Sequence, residues 1–130
     1  MNFNKFEKYA KPVLRIMMAF VFLYFGYQQF TNPASWTGFV PDYVLIFGMT
    51  AERLVFMNSL LELGLGVLLL IGLYTRFAAF ILALHLFGIA FSLGFNDLGM
   101  RDFGLAVATL VVFMNGSDDF CLDRKFRKVG

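Results

Sequence analysis

Apolar residues are gathered into four long segments that are separated by short polar or interrupted connections. A helix of about twenty apolar residues, rising 1.5 Å per residue, is long enough to cross the hydrocarbon core of a bilayer, which is about 30 Å thick. Because backbone polar groups find no partner in lipid, each segment must satisfy its own hydrogen bonds as a helix. The pattern therefore predicts an all-α, integral membrane four-helix bundle, with helices at about residues 12–30, 52–73, 77–95 and 101–116.

The connection between the first two predicted helices is apolar, but Pro33, Pro41 and Gly48 interrupt it. Its longest apolar run, residues 40–49, is too short to span a membrane. Trp36 belongs to the residue type that collects at the level of the lipid headgroups. We therefore predict an interfacial or re-entrant segment, which either rests on the outer face of the bundle or forms a lid over a cavity between the helices.

The composition also indicates a membrane protein. The chain of 130 residues is 59% hydrophobic and only 15% charged, and its mean hydropathy is +0.71. A soluble domain of this length would expose much of that apolar surface to water, so we expect a single membrane domain surrounded by lipid. The basic tail, residues 117–130, is short and suits anionic lipid better than nucleic acid, so no nucleic-acid partner is expected.

Basic residues are distributed asymmetrically between the two ends of the predicted helices. Of the eleven lysines and arginines, nine fall on one side, and only Arg53 and Arg101 fall on the other. The nine are Lys5, Lys8, Lys11, Arg15, Arg76, Arg124, Lys125, Arg127 and Lys128. Since cytoplasmic loops of membrane proteins are enriched in Lys and Arg, the sequence predicts that both termini are cytoplasmic.

Glu62 lies near the middle of the second apolar segment. A carboxylate at that depth costs several kcal/mol unless it is paired, protonated or facing a polar cavity. His85 lies at a similar depth in the third segment, so the two side chains are expected to pair. We take Glu62 and His85 as the candidate catalytic residues, because a site that excludes water needs a group that can exchange a proton.

Five further polar residues are candidates for ligand binding: Arg15, Tyr24, Gln28, Arg101 and Asp102. Arg15 could either approach Glu62 from the cytoplasmic side or extend to the cytoplasmic headgroups. Tyr24 and Gln28 are expected near Arg101 and Asp102 at middle to outer depth. The alternative is that Glu62, His85 and Arg15 form a structural cluster that fixes the helix register. On the same alternative, Arg101 and Asp102 form only an interfacial ion pair.

Several kinds of chemistry are not supported by the sequence. His85 is the only histidine and the carboxylates have no metal-ligand spacing, so no metal site is predicted. Cys121 is the only cysteine, which excludes a CxxC pair within the chain. The side chains alone therefore carry no two-electron chemistry. A redox role requires a bound small molecule, or a partner that holds the cofactor.

Three regions resemble the DoxX family. The first contains Arg15, then FLYFGYQQF and TNPASW; the second contains Glu62, LGLGVLLLIGLYTR and FAAF. The third is RDFGLAVATLVVFMNGSDDFCLD, which is similar to the last helix of the family and its closing Gly, Ser/Cys and Leu-Asp signature. The order and spacing of these motifs carry the resemblance. One departure is Gln29, where the family often has lysine.

The resemblance implies a four-helix protein of the bacterial inner membrane. The family takes its name from a subunit of a thiosulfate:quinone oxidoreductase, so the resemblance implies a component of a membrane redox system that handles a quinone or a similar small molecule. In that case Arg15 or His85 would hydrogen-bond a quinone oxygen and Glu62 would relay the proton. The alternative is a non-catalytic accessory subunit that contacts other membrane subunits, or further copies of itself, through its Phe-rich faces.

Overall fold

The computed structural model describes residues 3–129, except for the side chains of residues 44, 46, 47 and 126–129. Over these residues the chain forms five α-helices and two short 3-10 helices. The α-helices are α1 (Asn4–Thr31), α2 (Ala51–Ile71), α3 (Thr75–Leu93), α4 (Asp97–Asn115) and α5 (Leu122–Val129). The 3-10 helices, Pro33–Phe39 and Asp42–Phe47, lie between α1 and α2.

The four long helices form a closed bundle. The helix α1 packs most extensively on α2, and α3 on α4, while contacts between α2 and α3 and between α1 and α4 complete the ring. Small and branched side chains fill the interior, where Ala19, Leu69 and Leu82 are fully buried. Large apolar side chains cover the outside, including the more than half-exposed Phe20 and Leu84. This distribution suits a bundle that is solvated by lipid.

Three of these helices, α1, α2 and α3, are long and apolar enough to cross a membrane. The prediction of an all-α membrane bundle is confirmed. The helix α4 packs along α3 and carries Asp97, Arg101 and Asp102 in its first turns. That α4 also crosses the membrane stays a prediction.

The helix α1 begins at Asn4, well before the predicted start at residue 12. Pro12, which we expected in the first turn, lies inside the helix and is buried. Residues 4–11 are exposed and include Lys, Glu and Ala, which favour helix in water. The apolar pattern therefore marked where the helix enters apolar surroundings and missed the exposed turns that precede it.

A polar cap places the start of α4 at Asp97, earlier than the predicted residue 101. The N–H of Gly99 donates to the side-chain oxygen of Asn96 at 2.9 Å, which satisfies one of the free N–H groups at the helix start. A side chain at Gly99 would approach the carbonyl oxygen of Gly94 to 2.0 Å. The cap and this close approach fix the short connection between α3 and α4.

The turn between α2 and α3 is sharp because Gly72 and Tyr74 both have positive φ, 76° and 52°. The N–H groups of Gly72 and Leu73 both donate to the carbonyl oxygen of Leu68 at 2.9 Å, which ends α2. Glycine adopts this conformation readily, whereas tyrosine loses about 1 kcal/mol in it. The turn is therefore strained at Tyr74 and depends on contacts from elsewhere in the chain.

The segment between α1 and α2 covers one end of the bundle. Its first 3-10 helix packs on α2 and α1, and the ring of Trp36 lies 5.9 Å from the ring of Phe25 on α1. Trp36, Phe39 and Pro41 line a cavity between the helices. This arrangement agrees with the lid alternative rather than with a segment that only rests on the surface.

Candidate functional site

Glu62 accepts hydrogen bonds from two amide side chains inside the bundle. The side-chain amide of Gln29 on α1 donates to Oε2 of Glu62 at 3.2 Å, and that of Asn58 donates to Oε1 at 3.2 Å. Asn58 also donates to the side-chain oxygen of Gln29. Glu62 is only 3% exposed. Its carboxylate is therefore held by neutral donors from two helices in surroundings with little water.

His85 on α3 faces the same carboxylate. Its Nε2 atom lies 3.5 Å from Oε1 of Glu62. Nε2 is buried and has no hydrogen-bond partner among the described residues. Because an unsatisfied buried nitrogen is costly, this atom is the most evident free hydrogen-bonding group of the interior. The expected pairing of Glu62 with His85 is therefore present as a close approach without a direct hydrogen bond.

These polar groups lie at the wall of a cavity of about 380 Å³, here called the inner cavity. Ligand pockets for small molecules usually measure about 300–1,000 Å³. Apolar and aromatic residues form most of the wall, and Glu62, His85, Asn58 and Gln29 supply polar groups. The apolar lining comprises Val21, Phe22, Phe25, Trp36, Phe39, Val40, Pro41, Leu54, Val55, Leu86, Ile89, Leu93, Leu98 and Leu105.

Arg101 and Asp102 also line the inner cavity. The Nε atom of Arg101 lies 3.3 Å from the carboxylate of Asp102, and its guanidinium lies 5.9 Å from the centre of the Phe25 ring. Arg101 is about half exposed and Asp102 mostly buried. The structure thus brings four of the candidate residues, Glu62, His85, Arg101 and Asp102, to one cavity.

Arg15 does not belong to this cavity, so the expectation that it approaches Glu62 is wrong. Its guanidinium donates to Asp118 at 2.8 Å and to the carbonyl oxygens of Leu69 and Leu70 at 2.8 and 2.6 Å. The last turn of α2 offers unpaired carbonyl oxygens, and these attract a cation. Arg15 therefore has a structural position in the interior near the end of α2.

Tyr24 lines neither this cavity nor the second one described below, and its role in ligand binding stays a prediction. Phe22, Gly26 and Gln29 form the buried face of α1, and Tyr24 lies on the opposite side with 61% of its surface exposed. Gln28 lies between these faces and lines a second cavity of about 370 Å³, here called the outer cavity. Its lining residues are Phe25, Gln28, Asn32, Ser35, Trp36, Phe39, Leu98 and Arg101.

Gln29 and Asn58, the two residues that donate hydrogen bonds to Glu62, were not among the candidate site residues. Asn58 lies one helical turn before Glu62 and so shares its face, a spacing that is visible in the sequence. Gln29 continues the spacing of Phe22 and Gly26 along the inward face of α1. Both could have been found by extending the inward face of each helix from its most buried polar or small residue.

A second polar cluster joins the C-terminal part of the chain to the turn between α2 and α3. We call residues 117–123 the C-terminal clasp. The carboxylate of Asp123 accepts hydrogen bonds from the N–H groups of Tyr74 and Thr75 at 2.8 and 2.9 Å. Its own N–H donates to the carbonyl oxygen of Gly72 at 3.0 Å. Asp123 thereby caps the start of α3, which has no side-chain cap of its own.

Charges in the clasp are stabilised by these contacts. Burial raises the pKa of Asp118, but hydrogen bonds from Arg15 and the N–H of Phe120, together with the charge of Arg15, outweigh burial and hold the pKa below its usual value. The pKa of Asp123 is lowered in the same way: burial raises it, and hydrogen bonds from Thr75 and Tyr74 outweigh that effect. The predicted tail therefore begins with residues that are part of the packed structure.

The described residues contain no group of three or more His, Cys, Asp or Glu side chains that could hold a metal ion. Cys121 is buried, and its sulfur accepts from the N–H of Asp118 at 3.3 Å. Glu62 and His85 bring hydrogen-bonding side chains to the inner cavity.

Comparison with known proteins agrees with the resemblance. The family model described as DoxX matches residues 10–94, about two thirds of the chain. The chain belongs to the DoxX family. The matched region contains Gln29, Asn58, Glu62 and His85 of this DoxX protein. It ends before α4, so Arg101, Asp102 and the clasp lie outside it, as does the third motif on which the resemblance rested.

A relative from Haemophilus influenzae is 28% identical to this DoxX protein over 138 aligned residues, and the alignment covers 98% of each chain. That relative is described as uncharacterized. No solved structure matches the chain significantly. The comparisons therefore establish the family and leave the activity to be inferred from the site.

Proposed function

We propose that this DoxX protein binds a quinone, or a redox-active molecule of similar size, in the inner cavity as a component of a membrane redox system. The observation that carries the proposal is that His85 lines the cavity, while its buried Nε2 atom lies 3.5 Å from Glu62 and has no hydrogen-bond partner among the described residues. An apolar ring with a carbonyl oxygen fits such a wall, because the ring replaces apolar contacts and the oxygen accepts from Nε2.

The polar residues around Glu62 have distinct roles in this proposal. His85 donates to the ligand oxygen, and Glu62 holds the proton that is exchanged when the ligand is reduced. Gln29 and Asn58 keep the carboxylate in place by donating to both of its oxygens. A bound quinone supplies the two-electron chemistry that the chain itself lacks.

Replacing Glu62 with Gln tests the proposal. Glutamine keeps the shape and can hydrogen-bond, but it cannot exchange a proton. We expect a correctly folded protein whose activity falls by about 10²–10⁴-fold, the usual contribution of a general acid–base group. The measurement is growth or redox activity of a deletion strain that carries the variant, with the quinone content and the melting temperature of the purified protein.

Glu52→Gln is the matched control, because Glu52 is an exposed carboxylate in the first turn of the same helix. It should retain full activity. His85→Gln should reproduce the loss seen for Glu62→Gln, since the two groups face each other. Full complementation by Glu62→Gln would contradict proton exchange at Glu62. A purified protein that contains no quinone would contradict the proposal that the ligand is a quinone.

A second candidate function, that of an accessory subunit, is supported by glycines on the outer surface. Gly64, Gly88 and Gly104 are exposed, and a side-chain carbon at each would lie more than 4 Å from every described atom outside the adjoining backbone. Exposed glycines in lipid allow another helix to approach closely. Purification in mild detergent distinguishes the candidates: a stoichiometric partner or a homo-oligomer without bound quinone favours the accessory subunit.

We further propose that the protein lies in the bacterial inner membrane with both termini in the cytoplasm. Basic residues lie in the first turns of α1 and in α5, and Arg76 follows the turn to which the clasp binds. Cytoplasmic connections carry such an excess of Lys and Arg. A reporter enzyme fused after residue 130 should therefore be active only in the cytoplasm, whereas a fusion within residues 32–50 should report the periplasm. The reverse result would contradict this orientation.

A further inference from the structure

The outer cavity is lined by hydrogen-bond donors and contains no carboxylate among its lining residues. Gln28, Asn32 and Ser35 supply amide and hydroxyl groups, Trp36 an indole N–H, and Arg101 a positive charge. The carboxylate of Asp102, 3.3 Å from Arg101, lines the inner cavity but not the outer one, and Asp97, one turn before Arg101 on α4, does not line the outer cavity either. The chemistry of this wall therefore selects for a ligand that is rich in acceptor oxygens.

These donors are not used within the described part of the protein. The side chains of Gln28, Asn32, Ser35 and Trp36 take part in none of its hydrogen bonds. Arg101 uses only Nε, toward Asp102 at 3.3 Å, which leaves both terminal nitrogens of the guanidinium free. The guanidinium is also positioned by the Phe25 ring 5.9 Å away. It can therefore present two parallel N–H groups, the arrangement that matches phosphate and other oxyanions.

The outer cavity lies where headgroups are expected. It is formed by the last turn of α1, the first 3-10 helix and the first turns of α4. Helix ends and an interfacial tryptophan mark the boundary between hydrocarbon and water. We propose that the outer cavity binds a phosphate oxyanion at Arg101, supplied either by the headgroup of an anionic phospholipid or by free phosphate. This proposal does not depend on a quinone in the inner cavity.

The test uses the full-length chain in an uncharged detergent and three probes: short-chain phosphatidylglycerol, short-chain phosphatidylcholine and inorganic phosphate. Binding is followed by the shift in melting temperature and by native mass spectrometry. Phosphatidylglycerol should bind the native protein, and Arg101→Gln should weaken it by about tenfold or more, because a charge-assisted bidentate contact is lost. Gln28→Ala removes one donor without removing the charge and should weaken binding less.

Arg53→Gln is the matched control, since Arg53 is an exposed arginine at the start of α2 that lines neither cavity. It should bind phosphatidylglycerol as the native protein does. A response to inorganic phosphate alone would support the oxyanion site and identify a soluble source. The proposal is overturned if Arg53→Gln and Arg101→Gln weaken binding equally, if phosphatidylcholine binds as well as phosphatidylglycerol, or if no probe binds.

Discussion

Replacement of Arg15 by methionine is expected to destabilise the folded bundle by about 3–5 kcal/mol, since removing one member of a buried ion pair leaves the other charge without compensation. Arg15 and Asp118 are only 2% and 4% exposed, and their charged atoms lie 2.8 Å apart. The carbonyl oxygens of Leu69 and Leu70 would lose their donor as well. Reversible unfolding in mild detergent measures the effect.

Arg124→Met provides the control for this prediction. Arg124 pairs with Asp119, but both side chains are exposed. Exposed ion pairs usually contribute only about 0–1 kcal/mol, so this variant should unfold close to the native protein. Equal destabilisation by the two variants would show that the buried Arg15–Asp118 ion pair contributes no more to stability than the exposed Arg124–Asp119 pair.

Lowering the pH should reproduce part of the loss of stability that is expected for Arg15→Met. Contacts in the folded state lower the pKa of both Asp118 and Asp123 below its value in the unfolded chain. Their contribution to stability is therefore present above about pH 4, the ordinary range of an aspartate, and is lost as the pH falls through the lower folded values. The Asp118→Asn variant should show a weaker dependence on pH in that range.

The substitution Gly72→Ala should destabilise the protein by about 2–4 kcal/mol, because crowding of a packed site adds to the cost of positive φ in a residue with a side chain. A side-chain carbon at Gly72 would lie 2.6 Å from the Cα, Cβ and sulfur atoms of Cys121. The Cα is part of the backbone, so the clasp itself would have to move away from the turn. Thermal unfolding in detergent measures the effect.

Gly48→Ala separates the two causes. Gly48 has φ 78°, nearly the same as the 76° of Gly72, yet apart from its chain neighbours no described atom lies within 4 Å of where its side chain would begin. It should therefore lose only the conformational cost, about 1 kcal/mol. If both variants unfold alike, crowding against Cys121 is not the reason for the effect.

The depth of a residue along its helix was predictable from the sequence, and from it we predicted that Glu62 and His85 lie close together. Both lie in apolar segments where the number of residues from the nearest charged end gives the height. The inward faces were also predictable, because Asn58 and Glu62 share a face with Gly66. Long apolar helices with one polar face leave few arrangements, which is why the class of fold was predicted correctly.

Contacts made through the backbone or between distant parts of the chain were not predictable. Arg15 binds the carbonyl oxygens at the end of α2, and such groups do not appear in a sequence of side chains. Its ionic partner, Asp118, lies 103 positions away. The orientation of Tyr24 was missed for another reason. Its depth along α1 was considered, but its position around the helix, which turns it away from the two cavities, was not.

The clasp has a consequence for the order in which the chain assembles. The start of α3 is capped by Asp123, 49 positions after Tyr74, so we expect α3 to enter the membrane before its cap has been synthesised. The membrane-length helices α1 to α3 would then be only loosely associated at first, since contacts between groups distant in sequence form late. Only when residues 118–123 leave the ribosome can the first and last parts of the chain be joined. A chain that stops before Asp118 would thus be left open to membrane proteases.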